Sequence, residues 1–391
     1  MTLRIAAIAI ALTTAACSNN PPETGSGPTI ADSSGVVIVT NRSERWTEGT
    51  TWRISETPVL EIGKVDGEPG DLFRRIGGVL RLPDGSIVAA TSVEVRLYNQ
   101  DGVHLRTEGR QGEGPGEYEY IREIMGCRPG HFNVYDLSWR QSTYTHDGDF
   151  VETRQVLPTG PRPYTVRCTP SGTFVSLLWA ARAYEIPIGL FDTESHMLVG
   201  DAVAGVDTIL TLPAGQRIGN EHGSRPHPFG TVTSFGTVGD GIAITTGEDH
   251  EYRVYDFQGE LQRIVRMPGQ DRTIRSEDVD AQARKDAQRQ PPELFNAYFE
   301  EYRSIEMTDR YPAYSELIVD SESHIWLRHH TRPLDSAQTW DVADPEGVLL
   351  GSLQFDSGVE IKQIGSDFIL GHRITGEGVP QVAMWGLSRG D

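Results

Sequence analysis

Four histidines fall where chemistry would need them. His222 and His227 lie five residues apart in one loop, GNEHGSRPHPFG over 219–230. His329-His330 closes the run beginning at His324, and His372-Arg373 ends another β-rich run. Imidazoles of His222, His227, His330 and His372 meeting at one pocket would bind zinc or iron. The alternative is an ordinary polar rim. Neighbouring residues of a strand point to opposite faces, so at most one of His329 and His330 can face a shared pocket. The metal motif HExxH does not occur.

Acids and arginines supply a second set. Asp136 stands four residues before Arg140, and either binds a ligand or pairs with that arginine and the local turn. Glu248 and Asp249 lie in a loop, and Glu113 and Glu117 in the glycine-rich string GRQGEGPGEY over 109–118. Those two acids could hold a cation, or simply be solvated beside glycines that permit a tight crossover. The string lacks a Lys-Ser ending and enters a strand rather than a helix, which argues against phosphate binding. No G-x-S-x-G elbow signals a nucleophilic serine. Arg74, Arg122, Arg182, Arg332 and Arg373 lie near starts of first strands or ends of second strands. There they would favour an anionic or carbohydrate-like ligand. The candidate ligand-binding set is therefore Arg74, Arg122, Asp136, Arg182, Glu248, His330, Arg332 and Arg373.

These residues must be positioned by short strands. Leu82–Gly85 is a turn, 86–91 and 93–98 are β-rich, and Asn99–Gly102 is a second turn. The first kind of turn recurs at 128–130, 170–172, 239–241, 320–323 and 365–367. The second kind recurs at 146–148, 192–195, 257–259 and 344–347. Short strands at this spacing without intervening helices read as antiparallel blades. Six first turns face only five second turns, so the sixth blade lacks an outer strand. The segment 51–63, TWRISETPVLEIG, is expected to supply it and close the ring. The long connections 200–230 and 268–312 fall between blades, loading one face with loops.

A second repeat fits this register. GKVDGEPGDLF over 63–73 matches GRQGEGPGEY with its Gly and Pro-Gly offset by 46 residues. These strings, LPDGSIVAA with VRLYNQDG, and the opening GVVIVTN with WRISETPVLEIG resemble the bacterial six-bladed β-propeller family related to NHL-repeat proteins. The resemblance implies a fold and an extracytoplasmic location but no single activity.

The connection at 271–311 reads as a helical insertion between blades four and five. Ser276 would cap a first helix reaching Gln290. Pro291-Pro292 would separate it from a second helix carrying Leu294, Tyr298 and Tyr302. Docking on the rim and closing as a lid are both open readings.

Residues 1–16 carry one positive charge and an apolar run ending Ala15-Ala16, the pattern of a signal peptide. Cys17 follows directly and is the expected lipidation site, with 17–35 a disordered tether. Cys127 and Cys168 remain, as a disulfide between neighbouring blades or as two buried thiols.

The formal charge is −20, from 35 basic and 55 acidic residues, so nucleic acid is not an expected partner. The expectation is an all-β chain whose residues 36–391 form a six-bladed β-propeller of four-stranded antiparallel blades. It is monomeric, needs no cofactor, and is exported and lipid-anchored in the periplasm or at the cell surface. Its loop-rich face would bind a small-molecule, carbohydrate-like or protein ligand without chemistry. The rival is a metal-dependent hydrolase or lyase.

Overall fold

The computed structural model describes residues 27–47, 49–157, 163–179, 186–201, 205–221 and 223–390. Within them the chain is all-β, arranged as six sheets whose strand pairs are antiparallel but for one. Sheet 1 joins Gly78–Arg81, Ile87–Ala90, Val95–Tyr98 and His104–Glu108, and sheet 2 runs from Ile121–Arg128 to Phe150–Gln155. Sheets 3, 4 and 5 begin at Thr165–Cys168, Ser234–Val238 and Tyr314–Val319. Sheet 6 joins Val359–Ile364, Phe368–Ile374 and Pro380–Ser388. Each first strand contacts the first strand of the next sheet, and that of sheet 6 contacts that of sheet 1.

Composition explains this build locally. Ile87–Ala90 is buried throughout because it is covered on both faces, whereas the outer strand His104–Glu108 alternates between half-buried and exposed. Turn chemistry repeats. Asn99, Asp256, Asp320 and Asp344 each accept the N–H groups of the residues two and four ahead, at 2.8–3.0 Å for Asn99 and 2.8–3.1 Å for Asp344. A short side-chain acceptor thereby replaces the backbone partners lost where the strand reverses.

Six apolar clusters fill the six seams between neighbouring sheets. The seam between sheets 2 and 3 has the smallest, with Tyr135, Trp139, Val156, Val166 and Phe174 buried. There the Cys127–Cys168 disulfide crosses, with Cα atoms 5.3 Å apart. The sequence left this pairing open; Cys127 lies in a β-bulge of its strand, where Arg128 pairs His131 but Met125 pairs Asn133, whereas Cys168 lies in regular register.

The segment at 51–63 pairs as expected. Arg53–Ile54 and Leu60–Ile62 lie antiparallel to Pro380–Ser388, giving sheet 6 its outer edge. Trp52 anchors the crossing, buried against Trp46, Trp326 and the Arg389 guanidinium. Val36–Thr40, unplaced by sequence, runs parallel to Leu261–Arg266 of sheet 4.

Several expectations need correction. Thr29–Ser33 is not tether but a strand, folded onto Val36–Thr40 through Ser34 and Gly35, both with positive φ. The second turn of sheet 3 is not at 192–195, because Gly189–Asp201 runs straight through as one strand against Gly205–Asn220. The supposed loop insertion at 200–230 is thus mostly a long two-stranded arm, to which Gly223–Pro226 adds a third strand. The insertion at 271–311 holds helices α1 (Ser276–Ala287) and α2 (Phe295–Arg303). Ser276 is its first helical residue rather than its cap; Asp278 reaches back to accept the Arg275 N–H at 3.0 Å. Along α2 only Tyr302 is buried, whereas Tyr298, like Leu294 just before the helix, is exposed. Residues 1–26, including the expected signal peptide and Cys17, lie outside the described residues.

Candidate functional site

A cavity of about 860 Å³ opens where the first strands of sheets 3 to 6 begin. Second strands of sheets 3 and 5 end beside it, bringing Trp179, Arg328 and His330 into its wall. This is the face onto which the inter-sheet connections run.

The arm of sheet 3 makes one wall. Gly215 lies at φ +149°, and a Cβ there would stand 2.6 Å from the Thr231 carbonyl. Glycine therefore allows the arm and the segment 226–233 to meet. Thr233 N–H donates to the Ala214 carbonyl at 3.2 Å, and His227 N–H to that of Gln216 at 2.9 Å. On the arm, Arg217 lies over the Trp179 ring at 5.5 Å, and Trp179 packs on Tyr164 at 4.6 Å. Ser224 holds the same guanidinium, its hydroxyl accepting from Nε at 3.0 Å and its carbonyl from Nη2 at 2.7 Å.

The opposite side carries paired charges. Arg328 reaches Glu316 at 3.3 Å and donates from Nε to the Ser315 hydroxyl at 3.1 Å. Arg167 pairs with Glu123 at 2.7 Å, and Glu360 pairs with Lys362 and, at 3.4 Å, with His372. Burial pushes the Glu316 carboxyl up despite Arg328. Burial also opposes ionisation of Glu360, but Lys362 and then His372 outweigh it and hold that carboxyl below the usual range.

Two of the candidate histidines, His227 and His330, come together on the cavity wall on either side of Phe229, and the others lie apart. Of the adjacent pair, His330 lines the cavity, stacked on Tyr311 at 4.8 Å. Burial, then Arg328 and Arg332, bring its pKa down to about 4. His329 takes the other face, where Asp341 sits 2.9 Å from its Nε2 and also accepts from Tyr314 at 2.8 Å and Ser352 at 2.7 Å. His227 has both nitrogens engaged. Its Nδ1 accepts the Phe229 N–H at 3.1 Å, so its Nε2 donates to the Glu306 carbonyl, also at 3.1 Å. His372 belongs to sheet 6 beside Glu360, and His222 lies outside the described residues. Among the described residues no group of three or more His, Cys, Asp or Glu is arranged to hold a metal.

The other sequence-derived positions are dispersed. Asp136 is fully buried and paired with Arg140 at 2.7 Å, so it holds structure rather than ligand. Arg122 is exposed and packs over Trp139, and Arg74 is exposed. Arg332 donates to the Asp271 carbonyl at 2.9 Å. Arg373 pairs with Glu61 and lies over Trp385, because its neighbour His372 takes the opposite face. Glu248 and Asp249 are exposed. Glu117 pairs with Arg110 at 2.6 Å and accepts the Gly114 N–H at 2.9 Å, which hold its carboxyl below the usual range. Arg182 lies outside the described residues. Reading from sequence missed Arg167, Arg217, Glu316, Arg328 and Glu360; for Arg167, Glu316 and Arg328 the usable signal was a lone Arg or Glu in a short first or second strand.

Helices α1 and α2 dock beside the arm rather than over the opening. Arg225 meets Glu301 at 3.4 Å and lies over Tyr302, while Thr308 donates to the Phe229 carbonyl at 3.4 Å. Neither helix contributes a described residue to the cavity lining.

No helix among the described residues is long and apolar enough to cross a membrane. No family model matches the chain, and no curated protein matches it significantly. Solved structures do. A protein of Bacteroides fragilis assigned as exported aligns with a TM-score of 0.51 at 11% identity, covering 90% of this chain and 100% of that one. A member of the DUF4221 family from Bacteroides vulgatus aligns with a TM-score of 0.49 at 8% identity, covering 88% and 100%. At such identities the first likeness extends to the fold alone.

Proposed function

We propose that the six sheets are blades of a six-bladed β-propeller related to NHL-repeat proteins, and that its loop-rich face binds a ligand without transforming it. The cycle of first-strand contacts and the pairing of 53–62 with the last sheet support the ring. The signal-like residues 1–16 and Cys17 support export and lipid anchoring. Fractionation checks the anchor: wild type should sediment with membranes and Cys17→Ser should not, and a soluble wild type would remove it.

The single observation carrying the binding reading is the cavity. Its 860 Å³ falls within the range of small-molecule sites, about 300–1,000 Å³. Its wall joins an aromatic pair, fixed guanidinium groups and neutral polar side chains. Of the histidines weighed for a metal, His227 is bonded to backbone at both nitrogens and His372 pairs with Glu360, which favours binding over metal-dependent hydrolysis.

A thermal-shift screen of a soluble small-molecule library tests this, run on wild type and on Trp179→Ala/Arg217→Ala. Hits should raise the wild-type Tm and leave the variant unmoved. Hits that raise both equally, or a library without hits, would overturn it.

A further inference from the structure

Five ionic side chains line the cavity: Arg167, Arg217, Arg328, Glu316 and Glu360. Four are balanced on the spot. Arg167 has Glu123, Arg328 has Glu316, and Glu360 has Lys362. Arg217 differs. Among the described residues no carboxylate lies within ion-pair reach of it, and its bonds go to the neutral Ser224.

That guanidinium is also held still. Ser224 takes Nε and one Nη2 hydrogen, and the Trp179 ring lies beneath at 5.5 Å. Among the described residues, the second Nη2 hydrogen and the Nη1 group have no partner. Little side-chain entropy remains to be lost on binding, and a planar fork matches a carboxylate. A fixed cation on a chain of charge −20 concentrates anions locally against the overall repulsion.

The remaining lining is uncharged and suited to hydroxyl groups. Gln216, Thr231 and Ser315 present amide and hydroxyl groups, and Trp179 with Tyr164 supplies aromatic surface. Resting on the reading of this cavity as a ligand site, we propose that its ligand is an acidic sugar. Its carboxylate pairs with Arg217, and its hydroxylated body lies along the wall toward Ser315 and Arg328.

Calorimetry on the full chain tests this with acidic di- and trisaccharides built on galacturonate, glucuronate and N-acetylneuraminate. Each is titrated beside its methyl ester, and inorganic phosphate serves as a bare anion. At least one acid should bind, with affinity at least tenfold weaker for its ester and for Arg217→Gln. Circular dichroism of Arg217→Gln checks that it is folded, and Arg217→Lys should recover part of the affinity. An ester binding as well as its acid, or phosphate competing equally, would overturn the proposed class. Failure of every sugar while the library yields hits blocked by Trp179→Ala/Arg217→Ala would also overturn the class, yet leave the cavity a ligand site. Failure of sugars and library together would remove both.

Discussion

The Asp136 carboxylate accepts both the backbone N–H of Arg140, at 2.9 Å, and its Nε, at 2.8 Å. The same guanidinium donates onward to the carbonyls of Glu113 and, at 2.8 Å, Glu117. A buried acid thus orients an arginine that gathers the glycine-rich crossover between sheets 1 and 2. Gly112 takes φ +155° there, a backbone conformation that side-chain-bearing residues rarely adopt.

Breaking this pair leaves a buried charge uncompensated. Asp136→Ala should cost about 3–5 kcal/mol in urea unfolding. The preceding repeat supplies a control, since Lys64 and Asp71 form the exposed counterpart of Arg110 and Glu117 at 2.8 Å. Lys64→Ala should change stability by less than about 1 kcal/mol. Equal effects of the two substitutions would refute the assignment of Asp136.

The disulfide closes a loop of sequence separation 41, across the seam with the smallest apolar cluster. Chain entropy gives about 4 kcal/mol for its removal. Cys127→Ser/Cys168→Ser should lose stability of that order, with hydrogen exchange rising first in sheets 2 and 3. Alkylation of both thiols in unreduced, denatured wild type would show the bond absent.

Acid should destabilise the chain through half-buried histidines. Burial holds His250 and His330 at a pKa of about 4, below the ordinary 6.5. Between those values the unfolded state binds more protons, so stability falls as pH falls from about 6.5 toward 4. Asp341, held low by His329, Ser352 and Tyr314 against the effect of burial, adds stability above its unfolded pKa. That contribution is also lost on acidification. Melting temperatures from pH 7.5 to 4.5 should show this slope, shallower in His250→Gln/His330→Gln. An unchanged slope in the variant would assign it elsewhere.

If 53–62 closes the last sheet, deleting 51–63 should expose that sheet first. Hydrogen exchange should rise across 358–387 before any other region. Loosening confined to sheet 1, with 358–387 still protected, would contradict the closure.

Turns were the most legible feature, because Asn, Asp and Gly supply side-chain acceptors and positive φ that strands do not need. All six turns between first and second strands stand where the sequence placed them, three of them on Asp-Gly or Ser-Gly pairs, one on Pro129-Gly130, one on the Asp320 side chain and one at Gly365–Asp367. The exception among second turns shows the limit of that signal. Asp192, Thr193, Glu194 and Ser195 look like a turn, yet they lie inside Gly189–Asp201. There Asp192 and Glu194 occupy alternating positions of a strand projecting beyond the body, where polar residues are tolerated. The site arginines were hidden for a related reason. Arg167 and Arg328 occupy strand positions that read as an ordinary solvent-facing side. Only the assembly of several sheets reveals that this side faces a shared cavity. Arg217 could not be placed until the arm carrying it was known to be a strand.

The central claim is that ligand sits between the arm of sheet 3 and the first strands of sheets 5 and 6. A crystal structure of the full folded body, soaked at saturation with the tightest-binding acid of the sugar panel, tests it most directly. The account predicts ligand density in the cavity, with a carboxylate within hydrogen-bond distance of Arg217. Density at another surface, with the cavity holding only water, would contradict it.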